Sequence, residues 1–254
     1  MALHWRTALI AAGGAGLLAV ALTGCGNADA ADAPVEHKNF PLAGKTLTIE
    51  ADDSTLVVTP ADVKDVEVSR QVDGWVVLGS GPHASWALTD GKLSLKVKCD
   101  GVINGCSARH EVKVPRGVAL TVTDDDGRVE AGGFDTPLKI TSDNGRVTVE
   151  DSSGPLDLTS GDGQIEGRGI RAKTVRASSD NGRVGLAFTV VPDSVDARSN
   201  DGRVDISVPK DTYKVGARSD NGRVSVGVDR SDSSTHVLTA RSDNGRVTVR
   251  DSGN

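Results

Sequence analysis

The stretch Pro137–Glu150 reads PLKITSDNGRVTVE, and its pattern recurs through the second half of the chain. Apolar and polar residues alternate on both sides of an Asp-Asn-Gly centre. Period-2 alternation indicates a strand with one buried face. Asn-Gly and Asp-Gly favour a tight reversal, since both tolerate a positive φ at little steric cost. The stretch therefore predicts two short strands joined by a turn, with a positive φ at Gly145.

Seven copies of this centre follow one another along the chain. Their glycines fall at positions 127, 145, 163, 182, 202, 222 and 245, so the steps are 18, 18, 19, 20, 20 and 23 residues. The third copy departs from the motif as Gly161-Asp162-Gly163-Gln164-Ile165. A second break lies between copies, as at Pro209-Lys210-Asp211. Each repeat therefore holds two strands and two turns, which make one small coil.

A coil this small cannot bury its apolar face alone and must stack on its neighbours. Stacked strands lie about 4.8 Å apart, so six steps among seven tips would extend over roughly 29 Å. We therefore predict an all-β fold: a β-solenoid of short two-strand coils with an 18–23-residue repeat. A chain of antiparallel hairpins in a sandwich or barrel is the alternative. Identical residues at identical places favour the solenoid, because stacking forms them into ladders along one edge.

The section before the repeats is rich in β-strand signals but lacks the tip motif. Strands are predicted at Thr46–Ala51, Thr55–Pro60, Val66–Val72 and Ser85–Leu88, followed by a hairpin over Lys92–Val114. We expect this section to cap one open end of the stack. Its Trp75 and Trp86 form either its core or an exposed patch.

The repeats and the section before them together resemble a known family. Alternating strands around Asp-Asn-Gly, continued by x-Val-x-Val, are similar to the bacterial putative-adhesin family of β-strand-repeat envelope proteins. The resemblance covers roughly residues 40–249. It implies the repeat architecture and a place in the cell envelope, and it implies no chemistry, because that family has no established activity.

The N-terminus has the features of a lipoprotein signal peptide. A head containing Arg6 precedes an uncharged apolar run from Ala8 to Leu22. That run is short for a membrane span, which needs about 20 residues. It ends in Leu-Thr-Gly before Cys25, which resembles the lipobox of bacterial lipoproteins and implies an acylated Cys25. An ordinary signal peptide with an incidental cysteine is the alternative.

These features predict the organisation of the whole chain. Residues 1–24 are a lipoprotein signal peptide and residues 25–38 a flexible tether. Residues 39–118 are the N-terminal β-rich section and residues 119–254 the solenoid repeat region, with 39–254 as one continuous domain the alternative. The expected location is the extracytoplasmic face of the bacterial cell membrane, where the lipid holds the protein.

Composition narrows the classes of function. Removing residues 1–24 deletes one arginine and no acids, so the formal charge changes from −6 to −7. A mildly acidic protein lacks the basic surface that nucleic acid requires, so nucleic acid is excluded as a partner. Aromatic residues make up only 3% of the chain. Such a composition fits a thin interior between closely stacked strands better than a wide globular core.

Two cysteines remain once Cys25 is assigned to lipid. Cys99 and Cys106 flank Asp100–Gly105, a turn-rich hexapeptide with alternating residues on both sides. We predict a disulfide across the mouth of the hairpin, which an extracytoplasmic location allows. Closing so small a loop would stabilise the fold by roughly 2–3 kcal/mol. A metal or redox pair is the alternative, but the spacing is not Cys-x-x-Cys.

Stacking the repeats would form two charged columns at the tips. The first is an arginine column of Arg128, Arg146, Arg183, Arg203, Arg223 and Arg246, interrupted by Gln164. The second lies three residues earlier and includes Asp143, Asp180, Asp220 and Asp243. In the structural interpretation the columns pair and offset each other's repulsion. In the functional interpretation the edge binds a repeating anionic polymer such as a cell-wall polysaccharide, with arginine as a bidentate donor. A calcium-binding ladder is a third interpretation, although each turn supplies few oxygen ligands.

Signals for catalysis are weak. The four histidines after residue 25 are scattered, and neither Gly-x-Ser-x-Gly nor His-Glu-x-x-His occurs. We therefore expect no enzyme, cofactor or metal. The predicted function is that of a non-catalytic, membrane-anchored lipoprotein acting as an adhesin-like binding or scaffolding module. Its partners would be the membrane, through the N-terminal lipid, and a cell-wall polymer or another envelope protein. The alternative is a regulatory lipoprotein that reports envelope state to a membrane signalling partner.

Overall fold

The computed structural model describes residues 29–253, which form a short 3₁₀ helix (Ala30–Asp32) and twenty β-strands. The first five strands are β1 (Glu36–Phe40), β2 (Thr46–Ala51), β3 (Thr55–Ala61), β4 (Val66–Thr89) and β5 (Lys92–Pro115). The next ten are β6 (Ala119–Asp124), β7 (Arg128–Gly132), β8 (Leu138–Ser142), β9 (Arg146–Glu150), β10 (Leu156–Ser160), β11 (Ile165–Ile170), β12 (Thr174–Ser179), β13 (Val184–Phe188), β14 (Ser194–Ser199) and β15 (Val204–Val208). The last five are β16 (Thr212–Ser219), β17 (Val224–Gly227), β18 (Asp229–Arg230), β19 (Val237–Ser242) and β20 (Val247–Asp251).

The strands build two parallel ladders joined at the tips. One ladder runs β2, β6, β8, β10, β12, β14, β19 and β16. The other runs β3, β7, β9, β11, β13, β15, β20 and β17. Each coil contributes one strand to each ladder, and equivalent repeat residues stand side by side. The predicted β-solenoid is therefore confirmed.

The last two coils are stacked out of chain order. Strands β19 and β20 lie between the β14–β15 coil and the β16–β17 coil, so the last coil in the chain is the second from the end of the stack. The order of the coils in the stack therefore differs from their order in the chain at this point. The step from Gly222 to Gly245 is the longest, 23 residues, and the additional chain includes β18, which pairs with the start of β16.

A two-stranded ribbon caps the other end. Strand β4 pairs antiparallel with β5 around the turn at Asp90–Gly91, and β1 pairs with the outer side of β4. Strand β5 lies along β2 with residues 92–95 and along β3 with residues 109–115. The predicted hairpin within Lys92–Val114 is therefore wrong. Its two alternating stretches belong to one strand, and each buries its apolar face against a different ladder.

Alternating side chains fill the space between the ladders. Leu138, Ile140, Val147 and Val149 are at most 1% exposed, and each following coil repeats this arrangement up to the β19–β20 coil. The strands come close enough for aliphatic side chains to meet, which explains how a chain with few aromatic residues has a continuous core. Strands β2 and β3 take part in the same core, so the N-terminal section contributes one coil as well as the cap.

Two predictions lie outside the described residues. The signal peptide and the acylated Cys25 fall within residues 1–28, and they remain predictions. Between residues 29 and 253, no helix has the length and apolar character that a membrane span requires.

Candidate functional site

A hydrogen-bond relay of serines and glycines holds neighbouring tips together. The Gly145 amide donates to Ser142 Oγ at 2.9 Å, and Ser160 Oγ donates to the Gly145 carbonyl at 3.2 Å. The same pair of bonds recurs at the tips of Gly163, Gly182, Gly202 and Gly245. The relay satisfies backbone groups that stacking removes from water. Sequence reasoning missed these serines, although one precedes the tip motif in six of the seven copies.

The tip glycines are required by close approach between coils. A Cβ on Gly182 would lie well within 3.0 Å of the Gly163 carbonyl oxygen, closer than real Cβ atoms come to a backbone atom. Gly145, Gly163, Gly202, Gly245 and Gly222 each meet the preceding glycine of the stack in the same way. The glycines with positive φ in the described chain are other ones, such as Gly44 and Gly133. The prediction of positive φ at the tips is therefore wrong, and the reason for glycine is steric.

The middle residues of the tips form a second column, in which carboxylates and amides alternate from Asp126 to Asn244. In stack order this column reads Asp126, Asn144, Asp162, Asn181, Asp201, Asn244 and Asn221. Asn144 Nδ2 donates to Asp126 Oδ1 at 2.5 Å, and Asn221 Nδ2 donates to Asn244 Oδ1 at 2.8 Å. Asn181 and Asn244 donate in the same manner to Asp162 and Asp201. The amides thus separate carboxylates that would otherwise repel at the strand spacing.

The structure contains an eighth tip that the motif search did not find. Residues 52–54, Asp-Asp-Ser, join β2 to β3 and lie in register with Asp125-Asp126-Gly127. Ser54 takes the place of the glycine, and its carbonyl oxygen is the group that a Cβ on Gly127 would strike. The signal was the pair of aspartates between two alternating stretches, without the Gly-Arg that marks the other tips.

Beside this tip, Asp124 replaces the serine of the relay. Its side chain is buried, and neither carboxylate oxygen has a hydrogen bond of good geometry, although the Gly127 backbone amide lies close enough to oppose the effect of burial on the Asp124 pKa. Burial raises the pKa of Asp124 to about 7, and the carboxylates of Asp125, Asp53 and Asp126 act in the same direction. Burial and the nearby Asp52 and Asp143 also raise the pKa of Asp125. Carboxyl groups are therefore most densely clustered along the tip edge where it meets the capping ribbon.

Near the same tip, His110 and Ser54 form a buried pair. His110 Nδ1 and Ser54 Oγ are 3.1 Å apart, and the two residues are 0% and 4% exposed. Burial lowers the pKa of His110 to about 4, and the positive charge of Arg70 adds to the effect. A nucleophile needs access to substrate, so this pair is structural.

The predicted arginine column exists on the outer face of the second ladder. Its arginines are exposed and Gln164 is half-buried, and the column follows the stack in the order Arg128, Arg146, Gln164, Arg183, Arg203, Arg246 and Arg223. Arg183 pairs with Asp205 at 2.9 Å, and Arg128 lies 3.9 Å from Glu130. Within residues 29–253, no ion pair joins this column to the tip aspartates.

The interpretation in which the two columns pair is therefore wrong. Asp220, for example, pairs with Arg218 on the first ladder at 2.7 Å. The reason is directional: the arginines stand on the strand face, whereas the aspartates lie in the turn. Asp143, Asp180 and Asp243 occupy the equivalent turn positions, and Asn200 donates to Asp180 at 3.2 Å.

The column divides into two chemically different parts. Near the cap, Arg128 and Arg146 line a groove of about 430 Å³ that also contains Glu130, Glu150 and Glu166. Carboxylates there balance the guanidinium groups. At the other end, Arg203, Arg246 and Arg223 occupy three successive coils, and none has an ion-pair partner among residues 29–253.

Where β5 crosses from one ladder to the other, the ribbon forms a protruding lobe, which we define as residues 73–82 and 98–107. A disulfide joins Cys99 to Cys106 at its base, with the Cα atoms 6.5 Å apart, so the predicted disulfide is confirmed. Trp75 belongs to the lobe and packs against Gly105. Trp86 instead packs against the core, edge-on to Phe40 at 6.3 Å, with Arg70 4.0 Å above its ring. The two tryptophans thus have different environments.

Metal ligation has no support in the arrangement of side chains. Among residues 29–253, no three His, Cys, Asp or Glu side chains are grouped so as to hold an ion. In the middle column, the carboxylates of Asp126, Asp162 and Asp201 already accept hydrogen bonds from asparagine side chains. What the edge offers chemically is a periodic surface of guanidinium, carboxylate and amide groups.

One known protein family matches most of the chain. The family described as Toastrack DUF4097 matches residues 83–254. No curated protein matches the chain.

Three solved structures resemble the chain at low sequence identity. A putative adhesin from Parabacteroides merdae has a TM-score of 0.49 at 14% identity, over 86% of this chain and 97% of that one. A putative adhesin from Bacteroides fragilis has a TM-score of 0.47 at 17% identity, over 86% and 97%. A putative cell adhesion protein from Clostridium sporogenes has a TM-score of 0.37 at 10% identity, over 86% and 99%.

Proposed function

The chain belongs to the Toastrack DUF4097 family, and we propose that this member is a non-catalytic envelope module that binds a repeating anionic polymer at the cell surface. A lipid on Cys25 would hold the module at the membrane. Similar solved structures carry the names putative adhesin and putative cell adhesion protein, and a binding role is in keeping with those names.

The observation that carries the proposal is the set of unpaired arginines at the end of the stack. Arg203, Arg246 and Arg223 stand in register on neighbouring coils, so their backbones repeat about every 4.8 Å. Each can donate two parallel hydrogen bonds to a carboxylate or phosphate. A polymer with one anionic group per unit presents a matching linear series.

Rigidity adds to the effect of spacing. The relay serines and the core bind each coil to the next, so the arginine backbones need little ordering when a ligand binds. A preorganised surface loses less entropy on binding than a flexible one. Several weak contacts on one polymer also reinforce one another, because the second contact forms at high effective concentration.

The chain provides a matched control for testing this surface. Arg198, Arg241 and Arg218 lie on the same three coils but on the other ladder, and two of them are held in ion pairs, Arg198 with Asp196 and Arg218 with Asp220. Changing either set to glutamine removes the same charge from the same coils.

Binding of the purified protein to isolated cell-wall polymer is the measurement. The Arg203→Gln, Arg246→Gln, Arg223→Gln triple should weaken the affinity roughly tenfold or more, which corresponds to about 1.4 kcal/mol. The Arg198→Gln, Arg241→Gln, Arg218→Gln triple should bind like the parent. Equal losses of affinity in both triples would mean that the polymer responds only to the net charge of the protein, and would refute the proposed site.

The lipid anchor is tested separately. Cys25→Ala should release the protein into the medium or leave an uncleaved precursor, since the thiol is the proposed attachment point. Metabolic labelling with a palmitate analogue should mark the parent and leave the variant unmarked. Equal labelling of both would remove the anchor from the proposal without affecting the arginine surface.

A further inference from the structure

The lobe of the capping ribbon carries an apolar surface that the polymer-binding proposal does not use. Six large hydrophobic side chains are exposed in the described chain, and four of them are in the lobe. Leu78 is 82% exposed, Val102 75%, Ile103 57% and Val77 45%. Contiguous exposed apolar residues mark interaction surfaces in soluble proteins.

The lobe leaves these residues uncovered on both faces. Val77 and Ile103 stand opposite each other in the ribbon, and Leu78 and Val102 come next along the two strands, before the Gly79–Gly101 pair. All four side chains are at least 45% exposed, so the rest of the described chain covers none of them. A docked protein would cover one face, whereas a fluid apolar medium surrounds both.

The backbone conformation of Leu78 indicates that its exposed side chain has a function. Its φ is 54°, in the left-handed region that branched aliphatic residues rarely adopt. The disulfide between Cys99 and Cys106 closes the base of the lobe beneath it. Backbone outliers of this kind persist where the surrounding structure enforces them, commonly at functional positions.

The start of the described chain lies beside the same lobe and is held there by hydrogen bonds, so the prediction of a flexible tether is wrong for this part of residues 25–38. The Asp29 amide donates to Asp73 Oδ2 at 3.1 Å, and Gln71 Nε2 donates to the carbonyl oxygens of Ala31 and Ala33 at 2.9 and 3.0 Å. Cys25 is four residues before Asp29, a reach of about 14 Å at most. Val77 is four residues from Asp73 along β4, a similar distance. An anchor at Cys25 therefore holds the apolar residues within reach of the membrane surface.

We propose that the lobe inserts Val77, Leu78, Val102 and Ile103 into the interface of the membrane that carries the lipid anchor. This inference rests on the anchored form of the proposed function. Insertion would be shallow, because among residues 29–253 the lobe strands pair only with each other, and their outer backbone groups need water or headgroups. Trp75 suits the interfacial depth, and the exposed Lys96 and Lys98 would face lipid phosphates. A second contact would also make anchoring firmer than acyl chains alone.

Fluorescence of Trp75 tests the insertion in the protein isolated from membranes. A Trp86→Phe variant leaves Trp75 as the sole tryptophan of residues 29–253. The protein is reconstituted into vesicles of phosphatidylethanolamine and phosphatidylglycerol with a fraction of brominated lipid. We expect bromine to quench Trp75, and Leu78→Asp with Val102→Asp to abolish the quenching. Val224→Asp, at an exposed valine on the opposite end of the stack, should leave it unchanged.

The outcomes separate the inference from the anchor on which it rests. Mass spectrometry of the N-terminal peptide reports acylation of Cys25, and unmodified Cys25 overturns the anchor. Unquenched Trp75 in protein with acylated Cys25 overturns the insertion and leaves the anchor intact. A photoreactive residue in place of Leu78 provides a check in cells: a lipid adduct supports the inference, and an adduct to a protein overturns it.

Discussion

The two ends of the stack are made of similar coils but finish differently. At the ribbon end, Leu93 and Val112 of β5 are 0% and 1% exposed. At the other end, Val224 of β17 is 40% exposed, although Val204 at the equivalent place in β15 is 0% exposed. The outer edges of β16 and β17 have no strand partner in the described chain beyond the short β18.

This difference shows that burial in a repeat protein depends on position in the stack as much as on sequence. The β16–β17 coil carries the same Asp-Asn-Gly-Arg-Val motif as its neighbours, and its apolar side chains are less buried because nothing lies beyond them. A sequence outside the repeat, the β4–β5 ribbon, was needed to seal the opposite end. Terminal repeats of solenoids generally need such a cap.

Glycine substitutions should give the largest contrast between the middle of the stack and its open end. In Gly182→Ala the new methyl group meets the Gly163 carbonyl oxygen with coils on both sides, so we expect a loss of about 3 kcal/mol or more in unfolding free energy. Gly222→Ala meets the same kind of carbonyl, but its coil can move outward, and the loss should be smaller. Gly216→Ala, with no atom within 4 Å of the added carbon, is the control and should be neutral or slightly stabilising. Urea titrations measure all three, and similar losses in all three would refute the steric role.

The buried carboxyl of Asp124 should make the ribbon end sensitive to pH. Its pKa rises from 3.8 to about 7 on folding, so the folded state holds the proton more tightly and stability falls as pH rises between those values. His110 acts in the opposite direction: its pKa falls from 6.5 to about 4, so stability rises with pH over that range. In the parent protein the two slopes offset each other.

Asp124→Ser introduces the serine found at the other tips and removes the fall in stability with pH that Asp124 causes. We expect the variant to gain up to about 4 kcal/mol at pH 8, and its stability to rise with pH between about 4 and 6.5. Asp143→Ser, at an exposed carboxylate of the next tip, is the control. Denaturant unfolding across pH gives the slopes, and a variant as pH-independent as the parent would contradict the assignment.

Matched valine truncations probe the two ends directly. Val112→Ala at the capped end removes buried methyl groups and should cost about 1–2 kcal/mol. Val224→Ala at the open end should cost less than about half as much, because part of the side chain is already in water. Thermal melts compare the pair, and equal losses would mean that another molecule or segment covers the β16–β17 coil in solution.

The arginine column should have the smallest effect on stability. Changing Arg203, Arg246 and Arg223 to glutamine together removes three exposed like charges and no ion pair of the described chain. We expect the unfolding free energy to change by less than about 1 kcal/mol, and in the stabilising direction at low salt. A large loss would assign the column a structural role and weaken its proposed role in binding.

Local features of the sequence predicted much of this structure. Alternation around Asp-Asn-Gly gave the strand pairs of β8–β9 and of each later coil, because side-chain period and turn composition act within a few residues. The pairing of Cys99 with Cys106 was predicted correctly, but from a hairpin that does not form: both cysteines lie in β5. The prediction of a positive φ at Gly145 is wrong. Glycine is needed there because a side chain would strike the carbonyl oxygen of Gly127, 18 residues earlier in the chain.

Features that depend on contacts between distant residues were decided only in the tertiary structure. The sequence by itself determined that the chain forms stacked two-strand coils with charged tips. It did not determine that β19–β20 lies inside β16–β17, because repeats that share one motif can each pair with any other. It did not show that β5 joins both ladders, that residues 52–54 form an eighth tip, or that Arg203, Arg246 and Arg223 stand without ion-pair partners. Each of these depends on which surfaces meet after the coils have stacked.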